Sequence, residues 1–136
     1  MSSWNDSLLI GVELIDEQHK ELVRRIDQLI DACNRGEGQN EVGETLKFVV
    51  SYIKEHFKDE EELQALYVYP DMENHKKLHE RFINSTVDLV KELKVGHTTD
   101  FAEKVRRMLM GWLFTHIKNE DQKVSDHINK ADAATC

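Results

Sequence analysis

Seven histidines in a chain of 136 residues are the feature that could do chemistry. Five of them, His19, His56, His75, His79 and His116, fall on the apolar faces of amphipathic segments, where leucine or valine would ordinarily stand. Glu60 and the acidic pair Glu120-Asp121 interrupt the same faces. His56 and Glu60 are four residues apart, as are His75 and His79, so each pair lies on one face of a helix. Ionisable groups inside an apolar core are costly unless they are paired or bound to a metal. One inward histidine would be an ordinary hydrogen-bonded core residue, but five on four segments, with carboxylates among them, point to a metal. Imidazole without thiolate suits zinc, copper, iron or nickel. A structural zinc takes four ligands, and this set is too large for one ion. Two metals bridged by carboxylates, each offering two oxygens, fit the count, and two irons fit a helix-bundle interior best.

The elements that must position these residues are long helices. Leu22, Val23, Ile26, Leu29 and Ile30 recur at spacings of three and four, the helical period. The same period carries Leu46, Val49, Ile53 and Phe57, then Leu78, Phe82, Leu89 and Leu93, then Val105, Leu109, Trp112 and Leu113. Helices are predicted over about 16–36, 40–67, 71–95 and 99–130, behind an extended arm at 1–15 and ahead of a short, frayed tail. Asp16 reads as the first N-cap, Gly36-Glu37-Gly38 as the first stop, Pro70 as the second, Asp71 as the third opener and Gly96 as the third stop. Thr99 or Asp100 reads as the last cap. The expected fold is all-α: one domain over 1–136, an up-down-up-down four-helix bundle whose long core holds a cofactor between facing helices.

Composition narrows the function classes. One proline and six glycines are too few for the turns of a β-sandwich or barrel. The chain carries 18 basic and 26 acidic residues, a net charge of −8, and no basic stripe, which argues against nucleic acid and against an anionic membrane surface. Its apolar runs are too short to span a bilayer, and the first residues lack the basic start and apolar stretch of a signal peptide. Cys33 and Cys136 form no recognisable spacing, so a structural disulfide is not expected and the cytoplasm is the default compartment.

The order His19, His56-x3-Glu60, His75-x3-His79, His116-x4-Asp121 resembles the hemerythrin family, and in particular its single-domain bacterial members. The surroundings match too: Trp4, Gly11, Ile15-Asp16-x-Gln18-His19, His56-Phe57, Glu60-Glu61, Tyr69-Pro70 and Trp112-Leu113 before His116-Ile117. The resemblance spans roughly residues 4–128. It implies two iron ions, cycling between Fe2+ and Fe3+. One would be held by His75, His79 and His116, the other by His19 and His56, with Glu60, Asp121 and an oxo or hydroxo group bridging them. The second iron would keep a position open for dioxygen, beside an apolar lining that maps to Leu22, Phe57, Leu113 and Ile117.

One spacing strains the pattern. His116 to Asp121 is five residues, about 140° out of phase on an ideal helix, and periodicity alone would choose Glu120. The resemblance chooses Asp121 and so predicts a local departure such as a π-bulge. Gln64 and Val124 stand where methionine and tyrosine are frequent in the family, and either change bears on pocket polarity. His97 and His127 fall outside the motif and read as surface, and within Asp59-Glu60-Glu61-Glu62 only Glu60 is expected to point inward.

The leading expectation is a non-haem di-iron protein that reversibly binds dioxygen for storage, transport or delivery, not an enzyme, and a monomer or weak oligomer. The alternatives are a sensor of oxygen, nitric oxide or redox state with a signalling partner, and a di-iron peroxidase or oxidase-like enzyme. With only an arm before 16 and a short tail after 128, no fused signalling domain is expected, and an oxygen-accepting enzyme is a further conceivable partner. A phosphotransfer bundle would need one exposed histidine rather than five inward ones.

Overall fold

A computed structural model describes residues 3–35, 39–95 and 101–134. Among these residues there are four helices and no strand. α1 spans Glu13–Asn34, α2 Gln39–Leu66 and α3 Met72–Val95. The fourth helix, α4, occupies 101–134 and changes pitch along its length. It is α-helical over Phe101–Val105, π-helical over Arg106–Gly111, α-helical over Trp112–His116, π-helical over Ile117–Asp121 and α-helical again over Gln122–Ala134. α1 packs on α2, α2 on α3 and α4 on α1, giving the expected four-helix bundle.

The apolar stripes fill its interior. Leu22, Val23, Ile26 and Leu29 from α1, Leu46, Val49 and Ile53 from α2, Phe82 and Leu89 from α3, and Val105 and Leu109 from α4 join one core. Full burial of each such side chain stabilises by about 1.5–3 kcal/mol. That core supplies a rigid frame for the polar residues set into it.

Two boundaries differ from expectation. α1 begins at Glu13, three residues before Asp16, and its cap position, Val12, makes no side-chain hydrogen bond. Asp16 instead lies buried in the first turn and reaches backward: its carboxylate accepts from the Ile10 N–H at 2.8 Å and the Gly11 N–H at 3.1 Å. It therefore ties the arm to the helix. The arm is not simply extended either. A 3₁₀ turn at Asp6–Leu8 is capped by the Asn5 side chain, and Ser3 bonds to Asp27 on α1. At the other end α4 runs to Ala134 rather than fraying after 130.

α2 ends at Leu66, just before Tyr67-Val68 turns toward Pro70, with Val68 in the left-handed region at φ 51°. The expected stops at Gly36-Glu37-Gly38 and Gly96, the cap at Thr99 or Asp100, the placement of His97 and the tail residue Cys136 lie outside the described residues.

Candidate metal centre

Helix phase explains why seven ionisable groups meet in the middle of the bundle. His19 sits three residues before Leu22 on the apolar stripe of α1. His56 and Glu60 take consecutive inward positions on α2, and His75 and His79 do the same on α3. On α4 the π-turn Ile117–Asp121 adds the one residue needed to bring Asp121 back under His116, and both are buried. Glu120 is left half-buried beside Lys123, 3.9 Å away, outside the cluster. The departure from α-helical pitch predicted from the five-residue spacing is thus present.

The seven side chains form two overlapping groups, whose ligand atoms lie within 4.8 Å of one another in each group. The first comprises His75, His79, His116, Glu60 and Asp121, and the second His19, His56, Glu60 and Asp121. The carboxylates divide their oxygens between the two. Glu60 Oε1 lies 2.7 Å from His75 Nε2 and 3.5 Å from His79 Nε2, while Oε2 lies 3.1 Å from His56 Nε2 and 3.9 Å from His19 Nε2. Asp121 Oδ1 lies 3.1 Å from both His75 Nε2 and His116 Nε2, and Oδ2 lies 3.1 Å from His19 Nε2. Each carboxylate thus faces both groups, as a bridge between two cations would.

The donor set fits such ions. Many of its buried atoms have no hydrogen-bond partner: both ring nitrogens of His19, Nε2 of His56, Nδ1 of His75, Oε2 of Glu60 and both oxygens of Asp121. Buried polar atoms are almost always satisfied, so seven orphans in one volume call for an absent partner. The separations suit a metal. His116 Nε2 is 3.0 Å from His75 Nε2 and 3.2 Å from His79 Nε2. With metal–nitrogen bonds of about 2.1 Å, neighbouring donors stand about 3.0 Å apart in an octahedron and about 3.4 Å apart in a tetrahedron. The edges of 3.0 and 3.2 Å fall in the range spanned by donors around one ion.

Electrostatics prepares the same volume for cations. Burial raises the Glu60 carboxyl, but the imidazoles of His56, His75 and His79 facing it overcome that and hold it well below the usual carboxylate range. Burial and nearby Glu60 raise Asp121, and His116 and His19 bring it below its ordinary value. The histidines answer in kind. Burial disfavours charge on His75, yet Asp121 and Glu60 push it up to about 10. His19 and His79 are also raised against their burial, by Asp121 and by Glu60 with Glu61 respectively.

A surrounding layer orients the rings. His56 Nδ1 donates to Gln18 Oε1 at 2.8 Å, and the Gln18 amide donates in turn to Asp59 at 2.7 Å. His79 Nδ1 donates to Glu61 Oε2 at 2.9 Å. With the proton on Nδ1, each ring turns a bare Nε2 inward, the usual arrangement behind metal-bound histidines. This corrects the expectation that Asp59 and Glu61 merely face solvent. The signal was their position next to Glu60 on a helix packed between two histidine-bearing neighbours.

Leu22, Phe57, Leu113 and Ile117, expected to line a pocket, are at most 2% exposed. Phe57 stacks on His79, with ring centroids 3.7 Å apart and planes within 2°. Gln64 is buried with its amide 3.4 Å from Glu60 Oε1, on the cluster rather than on a neighbouring helix, and its own Oε1 has no partner. Val124 instead packs with Tyr69 and Ile128. His127 is half-buried, hydrogen-bonds the Tyr67 carbonyl oxygen at 2.7 Å and meets the Tyr69 ring, so it clips the end of α2 to α4.

A helical bundle enclosing histidines and shared carboxylates is a cation-binding architecture, and comparison with known proteins says which. The family profile described as "Hemerythrin HHE cation binding domain" matches residues 10–128. The bacteriohemerythrin of Stenotrophomonas maltophilia is 34% identical over 125 residues, covering 92% of this chain and 80% of that protein. The myohemerythrin of Theromyzon tessulatum is 35% identical over 122 residues, covering 88% of each. A crystal structure of a hemerythrin point mutant superposes with TM-score 0.80 at 26% identity, covering 93% of this chain and 98% of the other. A wild-type hemerythrin structure gives 0.76 at 28%, covering 90% and 93%. The chain belongs to the hemerythrin family. No helix among the described residues is long and apolar enough to cross a membrane.

Proposed function

We propose that this protein holds two iron ions and reversibly binds dioxygen, for storage, transport or delivery. The observation that carries the reading is the sharing of Glu60 and Asp121, each with one oxygen toward each histidine group. His75, His79 and His116 would hold one ion and His19 and His56 the other. The irons, when bound, supply the electrons and the coordination chemistry by which dioxygen is taken up and given back.

The protein's own contribution is a dry, asymmetric setting. The second group has one donor fewer than the first, which leaves room there for an external ligand. Leu22, Phe57, Leu113 and Ile117 are buried and apolar, and would add no polar atom to hold water around the donors. Gln18 and Glu61 keep the proton of His56 and His79 on Nδ1, away from the ions. A neutral-histidine-rich donor set with only two carboxylates favours high-valent iron less than carboxylate-rich di-iron enzymes do, which supports a carrier over an oxidase.

The test is anaerobic reduction of the iron-loaded protein, exposure to air and then removal of oxygen, followed by visible absorption. A band that rises in air and disappears on deoxygenation, with two irons per chain, is the expected result. One-way conversion to a diferric form on first exposure would reject the carrier reading in favour of the sensor or enzyme alternatives.

A further inference from the structure

Two of the three histidines in the first group are stacked on aromatic rings, and those rings join. Trp112 lies face to face with His116, with centroids 4.4 Å apart and planes within 12°. Phe82 also stacks against Trp112, at 3.9 Å and 8°. Phe57, stacked on His79, stands 6.1 Å from Trp112 and 6.0 Å from Phe82. His116 and His79 are buried, whereas Trp112 is only half-buried, so this five-ring array leads from the cluster to the surface. The second group has no comparable contact among the described residues: His56 meets Phe57 only at 5.8 Å and a 49° tilt.

Electronic coupling between groups falls steeply with the gap between them, and is strongest through bonds and through rings in van der Waals contact. An indole stacked on a metal-ligating imidazole shortens the through-space part of any path to one ring-to-ring contact. An alkyl side chain in the same place would pack there without coupling two π-systems. The stacking geometry itself adds only about 0.5–1.5 kcal/mol per pair to stability.

We infer that Trp112 is the port through which electrons enter the metal pair, passing by way of His116 to the three-histidine position, while the external ligand binds at the other. The inference rests on the di-iron reading above. The reductant is an external one-electron carrier that touches the exposed edge of Trp112, and such encounters need only a small contact area. Each step moves one electron: the carrier is oxidised by one, and one Fe3+ becomes Fe2+. Two carrier molecules return the diferric pair to the diferrous state. The indole passes the electron without being oxidised or reduced itself. Trp112 is thus a positioning residue that acts through His116.

The experiment compares iron-loaded diferric wild type, Trp112→Leu and Trp112→Phe. Anaerobic reduction by reduced methyl viologen is followed by stopped flow, with iron content, reduction potential and urea midpoint measured alongside. The expected result is severalfold slower reduction in Trp112→Leu at unchanged potential and iron content, with Trp112→Phe between. An iron-replete Trp112→Leu protein reduced at the wild-type rate overturns the route and leaves the di-iron reading standing. A wild type that takes up no iron overturns both. Should Trp112→Leu fail to fold, Trp4→Phe leaves Trp112 as the remaining one of two tryptophans. Its fluorescence lifetime is expected to be shorter in the diferric than in the zinc-loaded form, and equal lifetimes overturn the proposal.

Discussion

Asp121 and Glu120 are adjacent acids with opposite surroundings, and the contrast is testable one residue at a time. Asp121 is buried with an oxygen toward each histidine group, and Glu120 faces Lys123. Asp121→Asn is expected to lower iron below two ions per chain, whereas Glu120→Gln leaves it unchanged, as elemental analysis of the purified variants would show. Equal loss in both would mean that the acids share the role. Proton competition gives a second check. In the metal-free protein Asp121 and Glu60 overcome burial and push His75 up to about 10, so the ring carries a proton at neutral pH. A ligand ring must be neutral, and binding therefore expels that proton. Apparent affinity for Fe2+ is expected to rise with pH up to about 10 and to level off above it. Calorimetry in buffers of different ionisation heat measures the release, and its absence at pH 7.5 would reject the sign.

At the scale of elements, what the sequence could and could not convey separates by mechanism. The stripe periodicity placed four helices because burial of a continuous face dominates helix stability, and it carried the seven polar interruptions with it. The five-residue step from His116 to Asp121 was readable as a departure from α-helical pitch, because a shared face demanded an extra residue. The second π-turn, Arg106–Gly111, had no such marker: only apolar side chains, Leu109 and Met110, turn inward there, and their order fits either pitch. Asp16 misled because an acid at a helix start serves equally as a cap or as an acceptor for the chain before it. Here it takes the second role, and Gly11, at φ 91°, supplies the bend that aims the Ile10 and Gly11 N–H groups at it. Asp16→Ala is expected to destabilise by about 1.5–3 kcal/mol, the loss expected for hydrogen bonds to a charged acceptor. Gly11→Ala meets only ordinary contacts at 3.7 and 3.8 Å, so its cost is conformational, about 1–2 kcal/mol. Urea unfolding of both variants checks these values, and a Gly11→Ala midpoint equal to wild type would show that the arm relaxes.

For the whole molecule, the cluster sets the balance between fold and ligand. Without metal, Glu60 and Asp121 are buried as anions among five histidines, and the facing imidazoles offset the desolvation penalty of several kcal/mol that each buried ion carries. Donor atoms still remain without a partner, which shows how incompletely protons satisfy the site. Ions placed among these donors satisfy the inward Nε2 and carboxylate oxygen atoms and pin four helices to one point. Metal that binds the folded chain and not the unfolded one adds RT ln(1 + [L]/Kd), about 4 kcal/mol at a thousandfold excess over Kd. Removing the metal with a chelator is therefore expected to lower the urea midpoint and the thermal midpoint together. Zn2+ should restore both in part, since it can occupy the donors without redox chemistry. Asp121→Asn should gain little from either ion, because it lacks the oxygen pair that serves both groups. A wild-type midpoint unchanged by metal would mean that the metal-free bundle already satisfies these groups, against the seven partnerless atoms in its centre.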